Sequence, residues 1–407
     1  MRHLLGIALS FALATAAFGQ GAPKQLPDLS AEKANDVRTA KIPAHLQPIQ
    51  MSGARGMEWL QRANQPDGKF LAGFLPALAT KAEGDAFVPQ TEAALALLRA
   101  ARFQRDDRAM ALGKQALLRL LQDTTTDAAQ PAIRFTAAPE PFVNRLAACG
   151  GLLRAIHELP NPPEDLRAQA RQLASYLNSQ VQADGSFALA TDDAAFKLYL
   201  MQTCTGPALA GLAVHEARMP GTPKSDRAVR ATAFYAAIWR QAKTPVMIPD
   251  HTAASAEAYL ATNDPRFAQV VFEMNDWLLT QQYSPDPRHP LWSGGFIPWQ
   301  DGKATNLPPE SSSAAFACSL IDACRVAKKA GDAQRLARYR QSLEQTLAFL
   351  MTLQYTDARV QHYAEWFRPW IVGGFFNAHQ DGNLRLSNTA LATAAMVGYL
   401  KHVAELE

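Results

Sequence analysis

The sequence lacks the features that mark a nucleic-acid-binding or metal-binding protein. Its formal charge is only +3 over 407 residues, and no block of Lys or Arg stands out, which excludes the basic footprint of a nucleic-acid-binding surface. No Cys lies near a His at metal-ligand spacing, and neither a Gly-rich phosphate loop nor a Gly-x-Ser-x-Gly motif occurs. We therefore expect no metal ion, no other cofactor and no nucleic-acid partner.

Cysteine is scarce, and its positions indicate packing. Cys149, Cys204, Cys318 and Cys324 fall in Ala-rich helical patterns, where an unpaired Cys behaves as a small buried apolar residue. Cys318 and Cys324 share one predicted helix but face different directions, so they are not expected to form a disulfide. A bridge between Cys149 and Cys204 stays open, because spacing alone does not show proximity.

Long hydrophobic runs are absent except at the start of the chain. Arg2 and His3 precede an apolar stretch from Leu4 to Phe18, and Ala17-Phe18-Gly19 carries small residues at the positions that a signal peptidase reads. We expect residues 1–19 to be a cleavable signal peptide, with an uncleaved anchor as the alternative, and the protein to be periplasmic or secreted. No later run reaches the roughly 20 residues of a membrane span. Residues 20–50 show no periodicity and are predicted to be a linker or extended arm.

A short pattern recurs along the rest of the chain. An aromatic residue and Leu end a helix, Gln follows, and a polar turn leads to another aromatic residue. The clearest copies run from Trp59-Leu60-Gln61 to Asp67-Gly68-Lys69-Phe70 and from Tyr176-Leu177 to Asp184-Gly185-Ser186-Phe187. Looser copies end at Phe296 and Phe375. Such repetition is typical of folds in which no single unit buries its own apolar face.

Helical periodicity predicts twelve helices whose connections alternate strictly between short and long. This alternation places all long loops at one end of the molecule. A chain of twelve helices without polar caps needs closure, so residues 51–407 are predicted to be all-α, a single (α/α)6 toroid of six hairpins, with a linear solenoid as the alternative. The predicted helices are 55–64, 90–103, 106–122, 144–159, 164–181, 204–218, 224–241, 251–262, 265–282, 311–330, 332–353 and 387–404.

The repeated pieces resemble those of the terpenoid cyclase and protein prenyltransferase superfamily, whose members are α-toroids. Similar turns occur in (α/α)6 polysaccharide lyases and six-hairpin glycosidases. The protonating Asp-x-Asp-Asp motif of the cyclases is not intact here, because its nearest match, Ala190-Thr191-Asp192-Asp193, lacks the leading Asp. The resemblance therefore implies a fold and leaves the reaction open.

If the second helix of each hairpin lines the ring, the residues that open those helices surround a bowl at the long-loop end. Most of them also suit helix capping. The loops before the last two inner helices add Trp, His and carboxylates, as in sugar-binding clefts. Candidate catalytic residues are Glu310, His251, Glu365, Asp250 and Asp381. Candidate substrate-binding residues are Trp292, Trp299, Trp366, His379, Arg385, Arg145 and Asn388.

Three classes of function follow from this arrangement. The favoured class is an enzyme that acts on a carbohydrate as a lyase or hydrolase. Helix N-termini and Arg side chains favour an anionic ligand, and Glu310, His251 and Glu365 are expected to lie together. The alternatives are a cyclase-like or prenyltransferase-like enzyme acting on a lipid, and a binding toroid without catalysis.

Overall fold

A computed structural model describes residues 42–139, 143–219 and 226–406. The predicted signal peptide and most of the predicted linker lie outside the described residues. The compact unit that contains the helices spans Ala44–Glu407, and its first helix begins at Gln47, four residues before the predicted start of the toroid. Within the described part of the chain, no helix combines the length and apolarity needed to cross a bilayer.

All twelve predicted helices are present, together with two short helices inside long connections. The α-helices are α1 Gln47–Ala63, α2 Phe87–Gln104, α3 Asp107–Gln122, α4 Arg145–Glu158, α5 Glu164–Gln180, α6 Ala194–Thr203, α7 Thr205–Arg218, α8 Asp226–Gln241, α9 Ile248–Thr262, α10 Pro265–Leu279, α11 Ser313–Ala330, α12 Ala333–Thr352, α13 Arg368–Ile371 and α14 Leu386–His402. Short 3₁₀ turns occur at Ala44–Leu46, Pro76–Leu78 and Asp357–Val360.

Six helices form a closed inner ring. Their packing order is α2, α4, α7, α9, α11 and α14, and α14 packs against α2 to complete the circle. The remaining long helices form an outer layer. This closure confirms the predicted (α/α)6 toroid, and it excludes the open solenoid.

The two layers differ in how their residues are patterned. Inner helix α2 buries the continuous run Ala93 to Leu98, as expected for a helix packed on all sides. Outer helix α3 buries Ala109, Gly113, Ala116 and Leu120 at spacings of three and four residues, which places one apolar stripe against the inner ring.

Eight short strands lie in the long connections, a feature that the all-α prediction did not include. They are β1 Gly73–Leu75, β2 Thr80–Lys81, β3 Thr124–Thr126, β4 Arg134–Thr136, β5 Trp299–Gln300, β6 Lys303–Ala304, β7 Phe376–Ala378 and β8 Asp381–Arg385. The largest sheet has the antiparallel order β2-β1-β8-β7, with Phe74 opposite Leu384. This pairing joins the first and last long connections.

The recurring sequence pattern forms a defined turn at the end of four outer helices. Each turn is closed by an isolated β-bridge to a Phe, and a Gly two residues before that Phe has a positive φ of 84° to 93°. The amide of each Phe donates a hydrogen bond to a side chain. The pairs are Phe70 with Gln90 Oε1 (2.8 Å), Phe187 with the Tyr235 hydroxyl (2.8 Å), Phe296 with Ser313 Oγ (3.1 Å) and Phe375 with Thr389 Oγ1 (3.0 Å).

The structure corrects which polar residue belongs to the repeat. The bridge partner of the Phe lies four residues after the Leu, at Asn64, Val181, Gln282 and Gln354. Gln61 and Gln180 are therefore not equivalent to Gln282 and Gln354. Gln354 Nε2 donates to the carbonyls of Ser52 and Gly373 at 3.0 and 2.9 Å. Because Ser52 belongs to α1, this amide ties the last outer helix to the first.

None of the four cysteines forms a disulfide. Cys149, Cys204 and Cys324 are buried, and Cys318 is half-buried. The bridge between Cys149 and Cys204 that the sequence left open is therefore not formed.

Candidate active site in the mouth of the toroid

The N-terminal ends of the inner helices meet at the long-loop end, because each inner helix follows a long connection. Arg154 of α4 donates a hydrogen bond to Asp250 Oδ1 of α9 at 2.8 Å. Helix α7 lies between α4 and α9 in the ring, so this ion pair spans the lumen side of α7. Glu92, in the second turn of α2, lies close enough to both groups for their charges to shift its pKa. Three inner helices thus bring two carboxylates and a guanidinium together near the mouth.

Glu92 and Asp250 occupy different electrostatic environments. Burial raises the pKa of Glu92 to about 7, the negative charge of Asp250 adds to this increase, and Arg154 opposes it. Glu92 therefore keeps its proton in a large fraction of molecules near neutral pH, whereas Asp250 forms an ion pair with Arg154. A carboxyl group that retains its proton, close to a second carboxyl group that is ion-paired, can supply the acid of general acid–base chemistry.

Further charged side chains lie beyond this cluster. Arg325 of α11 pairs with Glu257 of α9 at 2.8 Å and with Asp322 at 2.7 Å. Arg99 and Arg102 of α2 each lie 3.3 Å from Glu158 of α4. The described inner helices thus place ion pairs between them, which is unlike the aromatic-lined apolar cavity that a cyclase-like reaction on a lipid requires.

His251 lies in the helical wall. Its side chain is only 3 % exposed, with Nε2 3.4 Å from Thr205 Oγ1 and the ring 5.3 Å from that of Tyr235, an outer-helix residue. Burial lowers its pKa to about 4, so the imidazole is neutral at physiological pH. This environment favours a packing role for His251 over the predicted role of catalytic base.

The predicted grouping of Glu310, His251 and Glu365 is not supported by any contact. Glu310 is half-buried just before α11, and Glu365 is exposed on the loop that precedes α13. Within the described residues, no hydrogen bond or ion pair joins either carboxylate to His251. Catalytic roles for Glu310 and Glu365 stay predictions that rest on position alone.

Two other candidates do lie together. Asn377 Nδ2 donates to Asp381 Oδ2 at 3.0 Å, and Asn388 Nδ2 donates to Asn377 Oδ1 at 3.4 Å. His379 is half-buried, with Nε2 3.0 Å from Thr352 Oγ1. Hydrogen bonds thus order the polar residues of the last long connection, and Arg385 is exposed at the end of β8.

The candidate tryptophans differ in how they are packed. Trp292 stacks on His289 with ring centroids 4.1 Å apart. Trp299 packs edge-on against Trp277 of α10 at 5.7 Å, which favours the packing interpretation for this residue. Trp366 is 66 % exposed and is available to contact a ligand.

A second feature of the same end is a cavity of about 560 Å³ beside the β3–β4 hairpin. Arg145, at the start of α4, borders it with its guanidinium 4.2 Å above the ring of Phe135. Phe135 in turn lies 5.5 Å from Tyr176. The sequence predicted Arg145 as a binding residue but gave no signal for Phe135 or Arg154, because a strand of three residues and a mid-helix Arg carry no recognisable motif.

No group of three or more His, Cys, Asp or Glu side chains within the described residues is arranged to hold a metal ion.

Comparison with known proteins finds similarity at the level of structure only. No protein-family model matches the sequence, and no curated protein matches it. Among solved structures, an unsaturated glucuronyl hydrolase specific for heparin aligns with a TM-score of 0.61 at 12 % identity, covering 88 % of this chain and 98 % of that one.

Two further solved structures extend this result. A cellobiose 2-epimerase from Bacillus thermoamylovorans aligns with a TM-score of 0.58 at 10 % identity, covering 86 % of this chain and 99 % of the other. An α-1,6-mannanase of Salegentibacter sp., in complex with α-1,6-mannotriose, gives 0.55 at 8 % identity, with 86 % and 98 % coverage. These similarities confirm the predicted α-toroid relationship, and identities this low establish the fold alone.

Proposed function

We propose that this protein is a carbohydrate-active enzyme that cleaves a glycosidic bond at the mouth of the toroid. The observation that carries the proposal is the cluster of Glu92, Asp250 and Arg154, in which one carboxyl group retains its proton near pH 7 and the other is ion-paired. The structural similarity to glycan-acting hydrolases supports the choice of substrate class.

In the proposed reaction, Glu92 is the general acid. It donates its proton to the oxygen of the leaving sugar as the bond between that oxygen and the anomeric carbon breaks. A water molecule adds to the anomeric carbon, and Asp250 accepts a proton from this water. Exchange with solvent then returns Glu92 to its protonated form and Asp250 to its carboxylate form, so the overall reaction is hydrolysis.

An anionic glycan and an extracytoplasmic location are parts of the same proposal. The N-terminal ends of the inner helices meet at the mouth, and their unpaired amide groups and partial positive charge favour an anionic ligand. The basic and apolar start of the chain fits an exported protein. N-terminal sequencing of the mature protein tests the export, and a first residue near Gln20 is expected.

The proposal is tested by incubating the protein with a panel of acidic and neutral oligosaccharides and analysing the products. On the best substrate, we expect Glu92→Gln and Asp250→Asn each to lower kcat/KM by about 10²- to 10⁴-fold. An aryl glycoside with an acidic leaving group needs little protonation, so Glu92→Gln is expected to lose much less activity on it.

Glu310→Gln tests the competing prediction that Glu310, another half-buried carboxyl group at the long-loop end, is the catalytic acid. Unchanged turnover in this variant supports the assignment to Glu92. Full activity of Glu92→Gln on every substrate contradicts it. Products that carry an unsaturated uronate indicate a lyase and overturn the hydrolytic scheme.

A further inference from the structure

Helix α6 lies in the long connection that precedes inner helix α7, and the two helices meet without a loop. Cys204 ends α6 and opens α7, and Pro207 has no amide hydrogen for the helical hydrogen bond across this junction. Helix α6 therefore extends α7 at the mouth, with a break at Cys204. The base of α6 is close to the proposed site, because a Cβ added at Gly206 would lie 2.8 Å from Cβ of Asp250.

Helix α6 is held in place although most of its side chains are exposed. Asp193 caps it by accepting a hydrogen bond from the amide of Phe196 at 2.7 Å, and Leu200 is buried near its C-terminal end. Residues 194–199 are all exposed, and Lys197 is the charged one among them. A group of exposed apolar side chains on a fixed helix indicates a binding surface.

Two aromatic rings of α6 form an exposed pair. Phe196 and Tyr199 are 37 % and 57 % exposed, with ring centroids 6.1 Å apart and an angle of 14° between the ring planes. Their spacing of three residues places them on one face of the helix, and contact between the rings restricts the rotation of both side chains. The pair is therefore a flat apolar surface that is formed before a ligand binds, and it matches the apolar face of a sugar ring.

We propose that Phe196 and Tyr199 form an outer subsite that contacts sugar units of the glycan beyond the cleavage site. At a rise of about 1.5 Å per residue, Tyr199 lies roughly 10 Å along the helix from Gly206, so a ligand has to extend beyond the mouth cluster to reach it. The subsite rests on the proposed function in taking a glycan as ligand. Its aromatic rings carry no charge, so they recognise the sugar ring and not a carboxylate. The substrate class that follows is a glycan chain longer than a disaccharide.

The test compares hexagalacturonate with digalacturonate, two uronate oligosaccharides that differ in length. Binding is measured by calorimetry on the Glu92→Gln variant, so that turnover does not interfere. We expect the hexasaccharide to bind more tightly, and Tyr199→Ala to weaken its binding by roughly three- to tenfold. Binding of the disaccharide in the mouth, which does not extend to α6, should change by less than about twofold.

Leu198→Ala is the matched control, since it removes an exposed apolar side chain from a different face of α6 and should change neither affinity. Ala favours helix formation, so α6 is retained in both Ala variants, and Tyr199→Trp should preserve binding of the hexasaccharide. Equal binding of the two lengths, or unchanged binding after Tyr199→Ala, overturns the subsite. An equal loss in Leu198→Ala overturns it as well, because α6 would then be a general apolar cover and not an aromatic subsite.

Cleavage assays separate the failure of this subsite from the failure of the proposed function. Tyr199→Ala is expected to raise KM for the hexasaccharide more than it lowers kcat, whereas Glu92→Gln lowers turnover. Hydrolysis that depends on Glu92 but neither on Tyr199 nor on chain length overturns the subsite and leaves the proposed function intact. Binding of the hexasaccharide that depends on Tyr199, without cleavage of any glycan, supports the subsite and overturns the proposed function.

Discussion

At the scale of single residues, several polar side chains at the starts of inner helices hydrogen-bond to the protein backbone and so stabilise the fold instead of lining the lumen. Gln90, Ser313 and Thr389 each accept a hydrogen bond from the amide of a turn Phe, a role that the sequence did not suggest. The sequence predicted caps or ligand contacts at the starts of the inner helices, including Gln90 and Thr389 but not Ser313. The sequence does not show which distant backbone group a long connection brings close to a given side chain. Among the predicted residues at the starts of the inner helices, only Asn144 caps its helix as expected.

His251 provides a residue-level prediction that separates packing from catalysis. We expect His251→Phe to keep turnover within about threefold, since Phe preserves the contact with Tyr235, whereas loss of a general base typically costs 10²- to 10⁴-fold. Steady-state kinetics on the best substrate distinguish the two outcomes. A hundredfold loss in a folded variant restores the catalytic assignment.

The His251→Phe variant should also change how the free energy of unfolding depends on pH. The pKa of His251 is about 4 in the folded state and about 6.5 in an unfolded chain, so the unfolded state binds the proton first as the pH falls. The stabilising contribution of the neutral imidazole is complete above about pH 6.5, and it is lost progressively toward pH 4. His251→Phe should reduce this loss of unfolding free energy by up to about 3 kcal/mol, measured by urea denaturation. The His157–His215 pair, with nitrogens 3.0 Å apart and both pKa values lowered to about 4 by burial, leaves a residual slope.

At the scale of elements, the repeated turn depends on a glycine for two reasons. Gly185 has a φ of +93°, and a Cβ there would lie 2.5 Å from the carbonyl oxygen of Arg230 on α8. Asp-Gly dipeptides predict a positive φ at Gly68, Gly185 and Gly382, and the structure confirms this for Gly68 and Gly185. Gly382 follows Asp as well, yet it lies in strand β8 and is not among the positive-φ residues, because the dipeptide does not specify the strand pairing around it.

We predict that Gly185→Ala destabilises the protein by about 2–4 kcal/mol, through strain at positive φ and displacement of α8. Gly302→Ala is the matched control, since Gly302 has a φ of +73° but nothing within 4 Å of the added Cβ, and it should cost about 1 kcal/mol. Urea denaturation of both variants measures the difference. Equal losses of unfolding free energy in the two variants would show that a steric clash between the turn and α8 does not contribute.

At the scale of the whole molecule, the fold was more predictable than the site. Loop lengths alternate along the chain, so the toroid follows from a pattern that is readable in one dimension. The mouth cluster depends on how far each inner helix is rotated about its axis, and it joins Glu92, Arg154 and Asp250 from three separate hairpins. Asp250 was predicted because it opens a helix, but no motif linked it to a mid-helix Arg154.

The dependence of kcat/KM on pH shows whether a protonated Glu92 drives glycosidic cleavage at the mouth. This ratio reports the ionisation of the free enzyme. With a pKa of about 7 for Glu92, activity should fall as the pH rises through neutrality, because the acid loses the proton that it must donate. In Glu92→Gln, assayed on the same substrate with enough enzyme to measure its residual turnover, this fall should disappear. A fall at the same pH in both proteins, or no fall near pH 7 in the unaltered enzyme, would contradict the account.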